Sequence, residues 1–269
     1  MRAHLVQLDI RWEDRSANYA AVDRLVATTD ISKGDLVILP EMFDSGFSLD
    51  IGRTNDRVGT TLGYCADLAS RLGAWVQGGR TVLSECGQRA TNRAPVLSPD
   101  GTLVCEYAKI HPFSFGREGE RFDGGGSVEV WALPGTDRGL RCAPSICYDL
   151  RFPELFRVQT QMGAQVLCLG ANWPAARQGH WRALAIARAI ENQAYMLSVN
   201  RCGDDPHLSY AGGSIAVDPR GQVVGELGEG EGVLSVALDA GRVERWRASF
   251  PALDDIRMMG DDPERWAHA

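Results

Sequence analysis

In Ser145-Ile146-Cys147-Tyr148-Asp149-Leu150-Arg151-Phe152-Pro153-Glu154 an apolar run ends on a cysteine. An acid, an arginine and a proline able to open a helix follow at once. A nucleophile at the carboxyl end of a buried strand is expected to have this form. The turn lifts the sulfur out of the sheet, and the positive end of the next helix begins nearby. Two further stretches have the same form. Leu36-Val37-Ile38-Leu39-Pro40-Glu41 sets a carboxylate just past an apolar strand, and Glu106-Tyr107-Ala108-Lys109-Ile110-His111-Pro112-Phe113 sets an amine in a comparable place. A thiol, a carboxylate and an ammonium at three strand ends make a candidate catalytic set.

A chain of 269 residues with 44% hydrophobic content can bury one large core, and its length allows one or two domains. The net charge of −7 argues against nucleic acid as a partner, which would call for clustered Lys and Arg. No run approaches the roughly 20 apolar residues that cross a bilayer, so no membrane association is expected. The first ten residues alternate apolar side chains at Val6, Leu8 and Ile10 without the longer apolar stretch of a secretion signal, and read as a first strand. A soluble cytoplasmic protein is expected. Seven cysteines form no Cys-x-x-Cys and have no accompanying histidine cluster, so neither zinc nor a disulfide framework is favoured. Cys65 and Cys168 fall in apolar patterns and read as core.

Along the chain, strand and helix signals alternate. Tyr19, Val22, Leu25 and Val26 share one helical face, residues 36–39 form an apolar strand, and Leu62, Cys65, Ala69 and Leu72 mark a helix over 57–72. Trp75 to Arg80 reads as a strand, and residues 96–104 as a hairpin closed by Pro99-Asp100-Gly101. The second half repeats this order: a strand at 140–147, a helix near 153–162, a strand at 166–169, a helix from His180 to Ala194, a strand at 195–199 and a hairpin at 215–224. Arg201 follows Arg80 by 121 residues, and the turn glycine Gly221 follows Gly101 by 120. Two similar halves without a linker argue for one α/β domain with internal pseudo-symmetry, residues 1–245, in which helices cover two sheets. Trp246 to Ala269 carries apolar residues (Phe250, Leu253, Met258, Met259) without a clear period, and reads as a tail lying on the core or across a partner subunit.

Side chains just beyond strand ends line the site in such folds. Glu41, Cys147 and Asn172 occupy such positions, and Lys109 is close to one. A carboxylate within reach of a thiol can take its proton as sulfur attacks a carbonyl-type carbon. A fixed ammonium and the Tyr148 backbone N–H can then hold the oxyanion. Expulsion of an amine leaves a thioester for water, and the chemistry requires neither metal nor cofactor.

Pro40-Glu41, Tyr107-Ala108-Lys109-Ile110-His111 and Cys147 to Glu154 resemble the three motifs of the nitrilase superfamily of carbon–nitrogen hydrolases. Ala171-Asn172-Trp173-Pro174-Ala175-Ala176-Arg177 and Ala187 to Tyr195 resemble its omega-amidase branch. The likeness runs in order over nearly the whole chain. It implies a four-layer α-β-β-α sandwich extended across a homodimer, with Glu41 as base, Lys109 as oxyanion donor and Cys147 as nucleophile. It also implies a second glutamate after the lysine, for which spacing favours Glu118 over Glu120. Pro112 and the Gly124-Gly125-Gly126 run depart from the commoner form of this loop. The branch implies a small substrate, the ω-amide of a dicarboxylic oxo-acid such as 2-oxoglutaramate or 2-oxosuccinamate. Arg151 is then the candidate for its carboxylate, or else a structural partner of Asp149 or Glu154. Asn172, Trp173 and Phe115 are candidate pocket walls.

Other readings compete. A papain-like enzyme would use His180 or His207 as base, but the residues around Cys147 lack that signature, and His111 reads as structural. Another amide, a nitrile or an N-carbamoyl compound as substrate keeps the enzyme, while a silent binding scaffold discards it. A working site is expected to make Cys147 the first of the seven cysteines to react with iodoacetamide.

Overall fold

The structure, a computed structural model, describes residues 1–134 and 139–257. The first half runs β1 (Arg2–Gln7), α1 (Arg15–Ala27), β2 (Leu36–Ile38), α2 (Ile51–Thr54), α3 (Thr60–Leu72), β3 (Trp75–Gln77), β4 (Arg80–Leu83), β5 (Ala90–Leu97) and β6 (Leu103–Ala108). The second runs β7 (Trp131–Leu133), β8 (Leu140–Ile146), α4 (Pro153–Gln161), β9 (Val166–Ala171), α5 (Gln178–Asn192), β10 (Tyr195–Asn200), β11 (Cys202–Asp204), β12 (Ser209–Ala211), β13 (Ile215–Val217) and β14 (Val223–Glu226). Strand β15 (Gly232–Ala237) returns to the first sheet, and α6 (Ala240–Ser249) follows it.

The two sheets share one plan. In the first, β1, β2 and β3 are parallel, β5 pairs antiparallel with β3, β6 with β5, and β15 flanks β1. In the second, β8, β9 and β10 are parallel, β13 pairs antiparallel with β10, β14 with β13, and β7 flanks β8. The expected repeat is therefore present in six strands of each sheet, while β4, paired with β5, has no counterpart in the second among the described residues. Its hairpins match in detail: Gly101 N–H donates to Ser98 O at 2.8 Å, and Gly221 N–H donates to Asp218 O at 2.9 Å.

The parallel strands are apolar on both faces because both faces are covered. Ala3, Leu5 and Ile38 meet Val166, Cys168 and Leu197 between the sheets. Val6, Val37 and Val76 pack under Val22, Leu25 and Leu68 of α1 and α3. Leu167, Leu169 and Met196 pack under Phe156, Trp181 and Ala185 of α4 and α5. The layers are thus α-β-β-α, as the sequence implied. Among the described residues no helix is long and apolar enough to cross a membrane. Helix α6 spans residue 245, and Arg247 ties it to the core by donating to the carbonyls of Ala164, Asn192 and Gln193. Met258 and Met259 of the expected tail lie outside the described residues.

The single strand expected over Trp75–Arg80 is broken at Gly78-Gly79. The cause lies in the neighbouring chain. A Cβ on Gly79 would stand 2.7 Å from both Pro40 O and Met42 N, and one on Gly170 would stand 2.7 Å from Leu39 O. The Leu39-Pro40-Glu41 backbone is clamped between these two glycines, which fixes where the Glu41 side chain starts. An added methyl there has only backbone to displace. Gly79→Ala is expected to destabilise the fold by about 1–3 kcal/mol. Gly63→Ala, on the exposed face of α3 with nothing within 4 Å of its new methyl, is expected to stabilise by about 0.5–1 kcal/mol. Urea unfolding midpoints check both, and shifts of the same sign would contradict the close-approach argument.

Candidate active site

Glu41, Lys109, Cys147 and Asn172 lie just past the ends of β2, β6, β8 and β9, and the sandwich brings these ends together. Lys109 Nζ donates to Glu41 Oε1 and to Glu118 Oε2, each at 2.8 Å, and all three side chains are at most 1% exposed. Asn92 on β5 bridges the carboxylates, its Nδ2 donating to Glu41 Oε1 at 2.7 Å and to Glu118 Oε1 at 3.1 Å. The backbone N–H of Asn172 donates to Glu41 Oε2 at 2.9 Å, and that of Phe113 to Glu118 Oε2 at 2.6 Å. Burial alone would favour a protonated Glu41. The charge and hydrogen bond of Lys109, with the donors from Asn172 and Asn92, outweigh it and hold this carboxyl below its ordinary range. Burial likewise opposes the Lys109 charge, yet the two glutamates push its pKa up. The site therefore rests as an ammonium between carboxylates.

Cys147 opens a short 3-10 turn, Cys147–Arg151, immediately after β8, at φ 46°. That left-handed conformation is strained for a non-glycine residue. Asp149 holds the turn from below: its buried carboxylate accepts from Ile146 N–H (2.9 Å), Tyr107 Oη (2.8 Å), His111 N–H (3.2 Å) and His111 Nδ1 (2.8 Å). From the side, the Arg188 guanidinium on α5 donates twice to Leu150 O. Burial pushes the Cys147 thiol well above its ordinary pKa; the nearby Glu41 charge adds to this and Lys109 opposes it, while the thiol itself donates to Asn172 O at 3.8 Å. The sulfur thus sits as a thiol facing an ionised Glu41. Cys86, by contrast, is exposed, and bonds from the Ser84 hydroxyl and Gln88 backbone lower its pKa. For a reagent with no affinity for the site, Cys86 is expected to react before Cys147.

Cys147 and Lys109 lie on the wall of a cavity of about 490 Å³, together with Tyr148, Arg151, Asn172 and Trp173. Asn172 is largely engaged with Glu41, also donating its Nδ2 to Glu41 O at 2.6 Å. The Trp173 ring carries the Arg151 guanidinium at 4.7 Å and packs on Trp181. Arg151 pairs with neither Asp149 nor Glu154; its Nη atoms lie 3.4 Å from His180 Nδ1. Glu118 is buried beside Lys109, while Glu120 is exposed and ion-paired with Arg117. Phe115, read as a wall, is 83% exposed and off the lining; Phe113 and Gly116 of the same turn line the cavity instead. The turn at Ser114–Gly116 leaves Phe115 exposed.

Three contributors were not read from the sequence. Asn92 shows as a polar residue among strand formers, the one signal that it faces a charge. Glu13, from the loop after β1, lines the cavity at φ 54°. The β11–β12 hairpin supplies Asp205, His207 and Tyr210 to the lining. Arg201 holds this hairpin, its Nη2 donating to Ile10 O and Asp204 O and its guanidinium lying 4.3 Å from the Tyr210 ring.

The carbon-nitrogen hydrolase family profile matches residues 2–248. An omega-amidase of Yersinia enterocolitica is 33% identical, over 95% of this chain and 96% of its own. A 2-oxoglutaramate amidase of Bacillus subtilis is 31% identical, over 94% and 96%. A CN-hydrolase superfamily protein of Xanthomonas campestris, solved with an arsenic adduct in its active site, superposes with a TM-score of 0.89 at 35% identity, covering 97% of this chain and 99% of that one. The chain belongs to the carbon-nitrogen hydrolases of the nitrilase superfamily, as an omega-amidase-like hydrolase of non-peptide carbon–nitrogen bonds.

Proposed function

We propose that the protein releases ammonia from the ω-amide of a small dicarboxylic oxo-acid, of the 2-oxoglutaramate or 2-oxosuccinamate type, through a thioester on Cys147. The observation that carries this reading is the Cys147 thiol beside the Glu41–Lys109–Glu118 cluster, on a cavity wall that also bears Arg151 without a carboxylate partner. The names of the omega-amidase and 2-oxoglutaramate amidase relatives support the substrate class. An amidase from Nesterenkonia sp. AN1, 25% identical, is described with acrylamide added at its active-site cysteine, which supports the nucleophile.

In this mechanism sulfur attacks the amide carbon while its proton passes to Glu41, and the carbonyl electrons move to oxygen. The negative charge leaves Glu41 and reappears on the oxyanion, still within the field of Lys109, so the buried cluster keeps its net charge. Lys109 and the Tyr148 N–H are the oxyanion donors. The tetrahedral species collapses as the C–N bond breaks, and Glu41 returns the proton to the departing ammonia. Water then attacks the thioester with Glu41 again as base, and sulfur leaves with the proton. Glu118 keeps Lys109 in place through both halves. The seven free cysteines support work in a reducing cytoplasm. The homodimer is supported by exposed Val158, Met162 and Ile190 on and beside α4 and α5.

Ammonia release across ω-amides of oxo-acids, aliphatic amides, nitriles and N-carbamoyl compounds tests the proposal; preference for any class but the first would replace the substrate. Cys147→Ala is expected to abolish turnover with the fold intact, and Glu41→Gln nearly to do so. Lys109→Ala is expected to lower kcat and also stability, by about 3–5 kcal/mol, because two buried carboxylates are left facing each other; activity assays and urea melts read the two effects. The pH profile follows from the same charges. Glu41 must be ionised and is held below its ordinary value of 4.5, so activity falls only as pH drops through the lower value. With Lys109 raised and no thiolate required, kcat/KM should be flat from about pH 6 to about pH 9. An acid limb near pH 6.5 would indicate a histidine base instead. Arg151→Ala should raise KM for an oxo-acid amide about tenfold or more, and for a neutral amide much less.

A further inference from the structure

The walls of the cavity carry charges of both signs: Lys109 is held by its two glutamates, while two arginines have no carboxylate partner among the described residues. Each acid on the lining is already engaged. Glu13 accepts from Ser48 Oγ at 2.7 Å and pairs with Arg53 at 3.0 Å. Asp50 caps α2 by accepting from Arg53 N–H, and Asp205 accepts from Tyr210 Oη at 2.6 Å and from the N–H groups of His207 and Leu208. Two guanidinium groups on the same lining, Arg151 and Arg177, have no carboxylate partner among the described residues.

Both are oriented by aromatic faces, which leave the edges of a guanidinium plane available for hydrogen bonds. Arg151 lies over Trp173, and Arg177 lies over Phe113 at 5.4 Å and Phe115 at 5.9 Å. The two are also joined through the chain, because Trp173 Nε1 donates to Arg177 O at 2.9 Å. The ring that supports one arginine thus anchors the backbone of the other.

We infer that Arg177 is a second specificity residue, which with Arg151 binds the 2-oxo-carboxylate end of the substrate and selects a 2-oxo ω-amide over its 2-amino counterpart. This rests on the function proposed above. A 2-oxo acid presents a carboxylate and an adjacent carbonyl oxygen, all acceptors, to two forks that are all donors. A 2-amino acid such as glutamine would bring an ammonium to the same place, where two cations repel it. Discrimination of this kind arises as much from the repulsion as from the attraction.

The test is steady-state kinetics of the purified full chain, Arg177→Gln and Arg177→Lys on 2-oxoglutaramate, glutamine and propionamide, with Arg151→Ala alongside. Arg177→Gln is expected to raise KM for 2-oxoglutaramate about tenfold to a hundredfold, with a much smaller change in kcat. The propionamide KM should move far less, and the glutamine to 2-oxoglutaramate ratio of kcat/KM should rise about tenfold. Arg177→Lys, which keeps the charge without the fork, should fall between. Equal KM changes for charged and neutral amides, or an unchanged selectivity ratio in both variants, would overturn the inference. If Arg177→Gln does not fold, Arg177→Lys against Arg151→Ala decides by the same ratio. Wild-type protein inactive on 2-oxoglutaramate would instead remove the proposed function. Selective loss in Arg151→Ala with no effect in either Arg177 variant would remove only this inference.

Discussion

With Lys109 1% exposed and Glu41 and Glu118 fully buried, one ammonium and two carboxylates have no water to solvate them. Removing charges from water is expensive, and such a cluster persists only when each lone pair and proton finds a partner. Here the partners come from four places: the Asn92 amide, the Asn172 and Phe113 backbone N–H groups, and the mutual contacts of the ions. Each donor lies on or near a different strand end. The cluster therefore exists only if the sandwich is assembled, and its electrostatics are a consequence of the fold rather than of local sequence.

The same dependence governs the sulfur. Cys147 adopts a left-handed φ of 46° that its own residue type disfavours. Asp149 makes this conformation tolerable by gathering four hydrogen bonds under the turn, two of them from His111. Tyr107 and His111 belong to the segment that carries Lys109, so the strand end presenting the ammonium also supports the turn presenting the thiol. A displacement of one would be felt by the other. This mechanical coupling ties the ammonium to the sulfur even though they arrive on different sheets.

The residues that announce themselves in the sequence are those at the ends of continuous apolar strands. Glu41 and Cys147 are legible because an apolar run stopping at a polar side chain is a local signal, Lys109 through the family motif around it, and the alternation of buried strands and amphipathic helices gives the layers. Asn92 was not legible, since its meaning depends on two carboxylates 51 and 26 residues away. The β11–β12 hairpin was missed for a related reason: it is short and polar, and Arg201 anchors it through backbone carbonyls that no residue type records. Phe115 was misplaced because a single turn decides which of two phenylalanines faces the cavity.

The internal repeat places different side chains at equivalent positions on the two sides of the cavity. Arg80 pairs with Asp56 and Glu106 as a structural ion, whereas Arg201, 121 residues later, makes one longer pair, with Asp9 at 3.6 Å, and supports the hairpin over the cavity. Asn92, which bridges the glutamates, stands opposite Gly213 at the same offset. Glu41 and Asn172 follow equivalent strands, β2 and β9, and hydrogen-bond to each other where the two sheets meet. One half thus supplies the Glu41 carboxylate, the Lys109 ammonium, Glu118 and Asn92, and the other supplies the Cys147 thiol, Asn172, the two arginines and the covering hairpin. Neither half alone contains a complete set of reacting groups, so the contact between the sheets is what makes the site, and the apolar layer between them fixes its geometry as well as the stability of the fold.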